Sequence, residues 1–153
     1  MIALATDLAL RDGRVLLVAS RYANQPQPLW NLPGGRRLPG ELLAETVERE
    51  VLEETGLRAR VEELAYLSES FDGDRCFLNA TFVIAVQGRE DPAPRRGDHA
   101  IAAAWVPLEE IAEYVSVSVV REPLLAFLRG ELSRRYAGYH EAGITIEWPD
   151  EPA

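Results

Sequence analysis

The stretch "GGRRLPGELLAETVEREVLEETGL" (residues 34–57) opens on a double glycine and runs into a helix-like segment that carries Glu50, Glu53 and Glu54 close together. Residues three and four apart share a face of an α-helix, so these carboxylates converge. Ala44, Val47 and Val51 follow the matching spacing on an adjacent stripe, which predicts a helix seated on a sheet by its apolar side, with its acidic side toward a cleft. Gly56 supplies the stop, as a residue at ease in a left-handed conformation. Like charges at i,i+4 cost a few tenths of a kcal/mol, and a surface helix ordinarily interleaves Lys or Arg among them. A solvated acidic face is one reading. The other is a divalent cation, and clustered hard oxygens suit magnesium or manganese, with magnesium sharing its remaining sites between water and substrate phosphates.

The 153 residues fit one domain, expected to span 1–153 with residues 134–153 as a tail docked on the body. Apolar residues make up 47% and charged residues 27%, an ordinary globular composition with no apolar run long enough to span a bilayer. A soluble, cytoplasmic protein is expected, because the N-terminus has an acidic residue inside its apolar stretch and lacks a basic leader. The net charge of −9 argues against a phosphate-backbone binder, so nucleic acid is not an expected partner. A small anionic substrate remains compatible if a cation stands between its phosphates and the carboxylates. Cys76 is alone, which excludes an internal disulfide and a cysteine-clustered zinc site, and its apolar surroundings predict a buried thiol.

Outside the acidic helix, residues 2–10 and 14–20 flank Asp12-Gly13 as an antiparallel hairpin. "RYANQPQPLWNLP" reads as a loop re-entering structure near Trp30 and Leu32, residues 58–71 as an irregular strand, and "CFLNATFVIAV" as a central strand after a "DGDR" turn. Residues 87–98 predict an exposed loop, 100–106 a strand, and Pro107 and Pro123 the first positions of two short helices. "ITIEW" is a strand candidate in the tail. Mixed strands and helices in this order give an α/β layered domain around a mixed sheet.

The pattern Gly35, Glu41, Arg49-Glu50, Val51, Glu53-Glu54, Gly56, Leu57 resembles the complete signature of the Nudix hydrolases. Seven fixed residues, each with a background usage of roughly 5–10%, together with two aliphatic positions, coincide by chance less than about once in 10⁸. The flanking "PLWNLPG" and "AAAWVPLEEI" are similar to the family as well. The resemblance implies an α/β/α sandwich around a mixed β-sheet, and metal-dependent hydrolysis of a nucleoside diphosphate linked to another group. It implies Glu50, Glu53 and Glu54 as metal ligands, with Gly34 at the position whose carbonyl completes the coordination. Glu50 is alternatively the base, while Glu41 and Arg49 hold loop and helix in register.

Many family members place a further glutamate shortly before the last-strand tryptophan. Here Ala102 and Ala103 stand there, leaving Asp98, His99 or Glu90 as base candidates, Asp98 first because it adjoins the strand. Arg21 and Arg36 are expected phosphate contacts, and Asn79 either reads a base edge or satisfies a strand-end backbone group. Tyr22, Trp30, Phe71 and Phe77 offer faces to a base or pack in the core. The proline of ADP-ribose hydrolases and the tyrosine of dinucleoside-polyphosphate hydrolases are absent at the expected distance, where Phe71, Asp72 and Gly73 stand. A nucleoside triphosphate follows by elimination. An ADP-ribose or nucleotide-sugar pyrophosphatase, a non-catalytic nucleotide-sensing module, and an isoprenoid-diphosphate isomerase, for which Cys76 is poorly placed, are the alternatives. The expected partner is a small nucleotide, and the expectation for assembly extends no further than a homodimer.

Overall fold

The structure, a computed structural model, describes residues 1–95 and 99–148. Strands β1 (Ile2–Arg11) and β2 (Arg14–Ser20) form the hairpin expected of Asp12-Gly13, and both turn residues have positive φ, 52° and 73°. There follow β3 (Leu29–Asn31), β4 (Gly34–Arg36), α1 (Leu43–Thr55), β5 (Ala59–Asp72), β6 (Arg75–Val86), β7 (Ala100–Pro107), α2 (Ile111–Tyr114), α3 (Ser118–Leu128) and β8 (Tyr136–Tyr139). The sheet is mixed. Strand β1 runs parallel to β6 and antiparallel to β4, while β2 pairs antiparallel with β3 and β7. Strand β5 pairs with β6 across the second hairpin, and two register shifts, between Val61 and Glu63 and between Leu64 and Tyr66, account for its irregular pattern.

Period-two alternation sends neighbouring residues to opposite faces, and this builds the layers. Ala5, Ala9 and Leu16 face α1, where they bury Val47 and Val51 together with Leu57 and Ile84. Leu8, Val15 and Leu17 face the other way and pack with Val106, Ile111 and Leu124 beneath α2 and α3. Each fully buried Leu or Val contributes about 1.5–3 kcal/mol through the apolar surface it removes from water. Helices therefore cover both faces, as expected for an α/β/α sandwich. No helix among the described residues is long and apolar enough to cross a membrane.

Three local expectations are corrected. Helix α3 begins at Ser118, and Pro123 lies inside it, because the N–H groups of Val120 and Arg121 both donate to Val117 O and start the first turn upstream. The bond that Pro123 cannot donate is offset by burial of its ring beside the fully buried Leu124. "ITIEW" forms no ladder; the tail strand is β8, which pairs parallel with β5 from Leu67↔Tyr136 to Ser70↔Tyr139. Cys76 is half-buried at the β5–β6 hairpin.

Asp7 stands on the α1 side of β1, in step with Ala5 and Ala9. It is fully buried, and among the described residues neither carboxylate oxygen has a hydrogen-bond partner. Desolvation pushes its pKa well above the ordinary carboxylate value. A group raised in the folded state contributes its full stability only below its unfolded pKa, and that stability is lost as the pH rises toward the folded pKa. Asp7 therefore destabilises the fold at neutral pH. Asp7→Ala is expected to stabilise the protein by about 1–3 kcal/mol at pH 8 and by less at pH 4, measured by urea unfolding in chelator. Equal or lower stability at pH 8 would contradict the assignment.

Candidate active site

Helix α1 is set in place from both ends. At its start, the Leu42 N–H donates to Glu45 Oε1 at 2.8 Å, and Glu41 Oε1 accepts from the Leu38 N–H at 2.9 Å and the Thr46 hydroxyl at 3.0 Å. At its end, Gly56 adopts φ 74° and its N–H donates to Leu52 O at 2.9 Å. The exposed loop after β6 also caps this terminus: the N–H groups of Ala93 and Arg95 donate to Thr55 O and Glu53 O, both at 2.8 Å.

Arg49 ties the acidic groups together. Its Nε and Nη2 hold Glu41 in a bidentate fork at 2.7 and 3.0 Å, its Nη1 donates to Glu50 Oε1 at 3.0 Å and to Glu53 Oε2 at 3.3 Å, and Nη2 also reaches Arg36 O at 3.2 Å. The hydrogen bond from Arg49 holds the Glu41 carboxyl down to about 2. Helix and β4 loop are thus locked in register.

Glu50 and Glu54 lean the opposite way. Burial raises the pKa of Glu50 despite Arg49, and raises Glu54 well above its usual value, with repulsion from Glu50 and Asp7 adding to it. Glu54 is 7% exposed and accepts the Gly34 N–H at 2.7 Å. The last turn of α1 contains no basic residue, and the negative end of the helix dipole adds to the excess. The double glycine admits this crowding: a Cβ on Gly35 would stand 2.7 Å from Glu50 Oε1, and one on Gly34 would stand 2.2 Å from Ala5 O.

Glu50, Glu53, Glu54, Gly34, Gly35 and Arg49 line one end of a cavity of about 610 Å³. Desolvated, mutually repelling oxygens beside an approach free of Cβ atoms fit a divalent cation. As the side chains stand, no three such groups converge on one point among the described residues, because Arg49 draws Glu50 and Glu53 while Gly34 draws Glu54. Binding of a cation requires these carboxylates to turn within reach of one another.

The cavity continues across β4 to the sheet face that carries Thr6 and Asn79. Arg36, Tyr22, Trp30 and Phe77 line it, whereas Arg21 is exposed beyond β2 and does not, and Phe71 lies outside it. Among the described residues Asn79 does not bond the strand-end backbone group expected of it; its side-chain amide lies 3.2–3.4 Å from the hydroxyls of Thr6 and Thr81. Asp98 lies outside the described residues, and Glu90 is exposed. Of the three loop candidates for the base, His99 is the one the described residues bring to the cavity, with its Nδ1 buried and lacking a hydrogen-bond partner. Sequence reading missed two contributions, the buried Asp7, whose charge acts on Glu54, and a cavity wall formed by Ala142, Ile144, Ile146 and Trp148. Alternation in β1 places Asp7 on the α1 face, whereas the wall depends on contacts between distant segments that no local pattern carries.

Phosphatase NudJ of Escherichia coli K12 is 32% identical over 116 residues, covering 75% of this chain and 72% of NudJ. A putative 8-oxo-dGTP diphosphatase of Bacillus subtilis is 44% identical over 52 residues, 34% of this chain. The chain spans about a third of the length of that relative, 33%, and of the mouse nucleoside diphosphate-linked moiety X motif 6 protein, 32%. The solution structure of the E. coli ORF135 protein superposes with a TM-score of 0.69 at 28% identity, covering 88% of this chain and 93% of that one. The NUDIX domain matches residues 1–127, and with the carboxylate helix and double glycine in place the chain belongs to the Nudix hydrolase family.

Proposed function

We propose that the protein is a metal-dependent pyrophosphohydrolase that cleaves a phosphoanhydride of a nucleoside triphosphate or related nucleotide. The observation that carries this reading is the pair of desolvated carboxylates, half-buried Glu50 and buried Glu54, both raised in pKa at the end of a cavity of about 610 Å³. The volume suits a nucleotide-sized ligand. The name of the Bacillus relative, a putative 8-oxo-dGTP diphosphatase, supports the substrate class.

In this mechanism Glu50, Glu53 and Glu54 would hold magnesium or manganese, and the carbonyl of Gly34 would be a further donor. When bound, the cation neutralises phosphate oxygens and lowers the pKa of the attacking water. Arg49 keeps Glu50 and Glu53 from splaying by its two hydrogen bonds at 3.0 and 3.3 Å. Arg36 meets the phosphates, and Asn79 offers amide capacity to a base edge. The proton of the attacking water goes to Asp98 or Glu50, the proposed bases, with His99 as the loop group already at the cavity. No covalent intermediate is needed.

A panel of nucleoside triphosphates, ADP-ribose and nucleotide sugars, with product identification, tests the proposal. Magnesium-dependent release of pyrophosphate or a nucleotide, abolished by chelator and restored by added metal, is the expected result. Nucleotide binding without turnover of any member would replace this reading with that of a sensing module.

A further inference from the structure

The segment after β8 crosses the cavity as a strap. Its alternate residues Ala142, Ile144, Ile146 and Trp148 face the cavity. Its backbone and its other side are pinned to the body. Thr145 O accepts from Asn24 Nδ2 at 2.6 Å and Gln25 Nε2 at 3.0 Å, and the Thr145 hydroxyl donates to Asp72 Oδ1 at 2.9 Å. The Glu147 N–H donates to Asn24 Oδ1 at 2.9 Å, and Glu147 O accepts the Ala23 N–H at 2.7 Å. These bonds deliver Trp148 to the cavity, 8% exposed, with its ring against Phe77 at 6.1 Å and Tyr22 at 6.4 Å. Over that ring, 4.1 Å from its centroid, lies the guanidinium carbon of Arg36.

Arg36 directly follows the double glycine that faces Glu50 and Glu54, and it lines the same cavity. Arg49 is engaged by Glu41, Glu50, Glu53 and Arg36 O, and the guanidinium stacked on Trp148 is a second one in the same cavity. A long arginine side chain loses much rotamer freedom when it grips an anion, and prior stacking on a fixed indole removes most of that loss. The NUDIX domain match ends at residue 127, so the strap lies beyond it.

We propose that the strap is part of the substrate site and that Trp148 is a positioning residue, which holds the Arg36 guanidinium in the cavity that the carboxylate helix also lines, to receive the substrate's phosphates. The proposal rests on the pyrophosphohydrolase reading and adds to it a dependence of phosphate affinity on the C-terminal segment. Trp148 acts through Arg36 and touches no reacting atom.

The test compares wild type, Trp148→Leu, Trp148→Phe, Arg36→Ala and the Arg36→Ala/Trp148→Leu double variant, each with its melting temperature. KM and kcat are measured on a nucleoside triphosphate, and magnesium-dependent binding of inorganic tripolyphosphate is measured by calorimetry. Trp148→Leu keeps apolar bulk and loses the aromatic face; it is expected to raise KM and the tripolyphosphate Kd alike by roughly 5–30-fold, with kcat moving far less. Trp148→Phe keeps a smaller face and is expected to raise both by about 2–5-fold, which gives a second reading should the leucine variant prove unstable. The double variant is expected to be no worse than Arg36→Ala alone, because the two residues act as one unit.

Independent, multiplicative losses in the double variant would overturn the proposal. So would a defect confined to the nucleotide, which would place the indole against the base, or an unchanged KM in both Trp148 variants of an active enzyme. Wild-type protein that neither hydrolyses a nucleotide nor binds tripolyphosphate would overturn the functional reading and this proposal with it.

Discussion

Glu53→Gln is expected to lower turnover at saturating magnesium by at least about 10²-fold while the melting temperature stays within a few degrees of wild type. Loss of a partner outside the ligand set of a metal commonly costs 10–100-fold, so a lost ligand should cost no less. The Glu53 side chain is 30% exposed and meets Arg49 at 3.3 Å, and a glutamine oxygen of the same shape can still accept from that guanidinium. The helix terminus is held instead by Gly56 and by the loop bonds to the carbonyls of Glu53 and Thr55. Turnover measured with a magnesium titration separates weakened cation binding, which excess metal partly rescues, from a lost proton acceptor, which it does not. Near-wild-type turnover at saturating magnesium would remove Glu53 from the ligand set.

The parts of this site that could be read in advance are those governed by short-range rules. The three glutamates, their apolar seat and the left-handed glycine stop depend only on helical periodicity and on what glycine alone tolerates, and α1 from Leu43 to Thr55 follows those rules. The Asp-Gly hairpin is local in the same sense. Contacts between distant segments were not legible. The start of α3 depends on Leu124 docking beneath the sheet, which outweighs the preference of Pro123 for a first turn. The strap is extended but pinned by Asn24, Gln25 and Asp72, residues about 70 to 120 positions away, so no strand pattern in "ITIEW" could reveal it. Asp7 lay between these cases: alternation places it on the α1 face, yet an unpartnered carboxylate there shows only when the helix is seated above it.

The two adjacent glycines give the prediction that best separates folding from chemistry. A Cβ at Gly34 would meet Ala5 O at 2.2 Å and Thr6 Cα at 2.7 Å, both backbone atoms of the central strand to which β4 is paired. Neither can yield without moving β1, so Gly34→Ala is expected to destabilise the protein by about 3–5 kcal/mol. A Cβ at Gly35 would instead meet Glu50 Oε1 at 2.7 Å and its Cδ at 2.9 Å, the far end of a flexible side chain. That carboxylate can swing aside at small cost to the fold, but it then leaves the 3.0 Å contact with Arg49 and its place beside the other two glutamates. Displacement of a catalytic group by about 1 Å can cost 10²-fold in rate. Gly35→Ala should therefore lower turnover by about 10–100-fold with a melting temperature close to wild type, while Gly34→Ala should unfold at distinctly lower temperature. The checks are thermal unfolding followed by circular dichroism and turnover at saturating magnesium on the same preparations. Equal losses of stability in both variants would mean that the Glu50 carboxylate is braced as rigidly as the strand, and that its position is set by the core instead of by the loop it rests against.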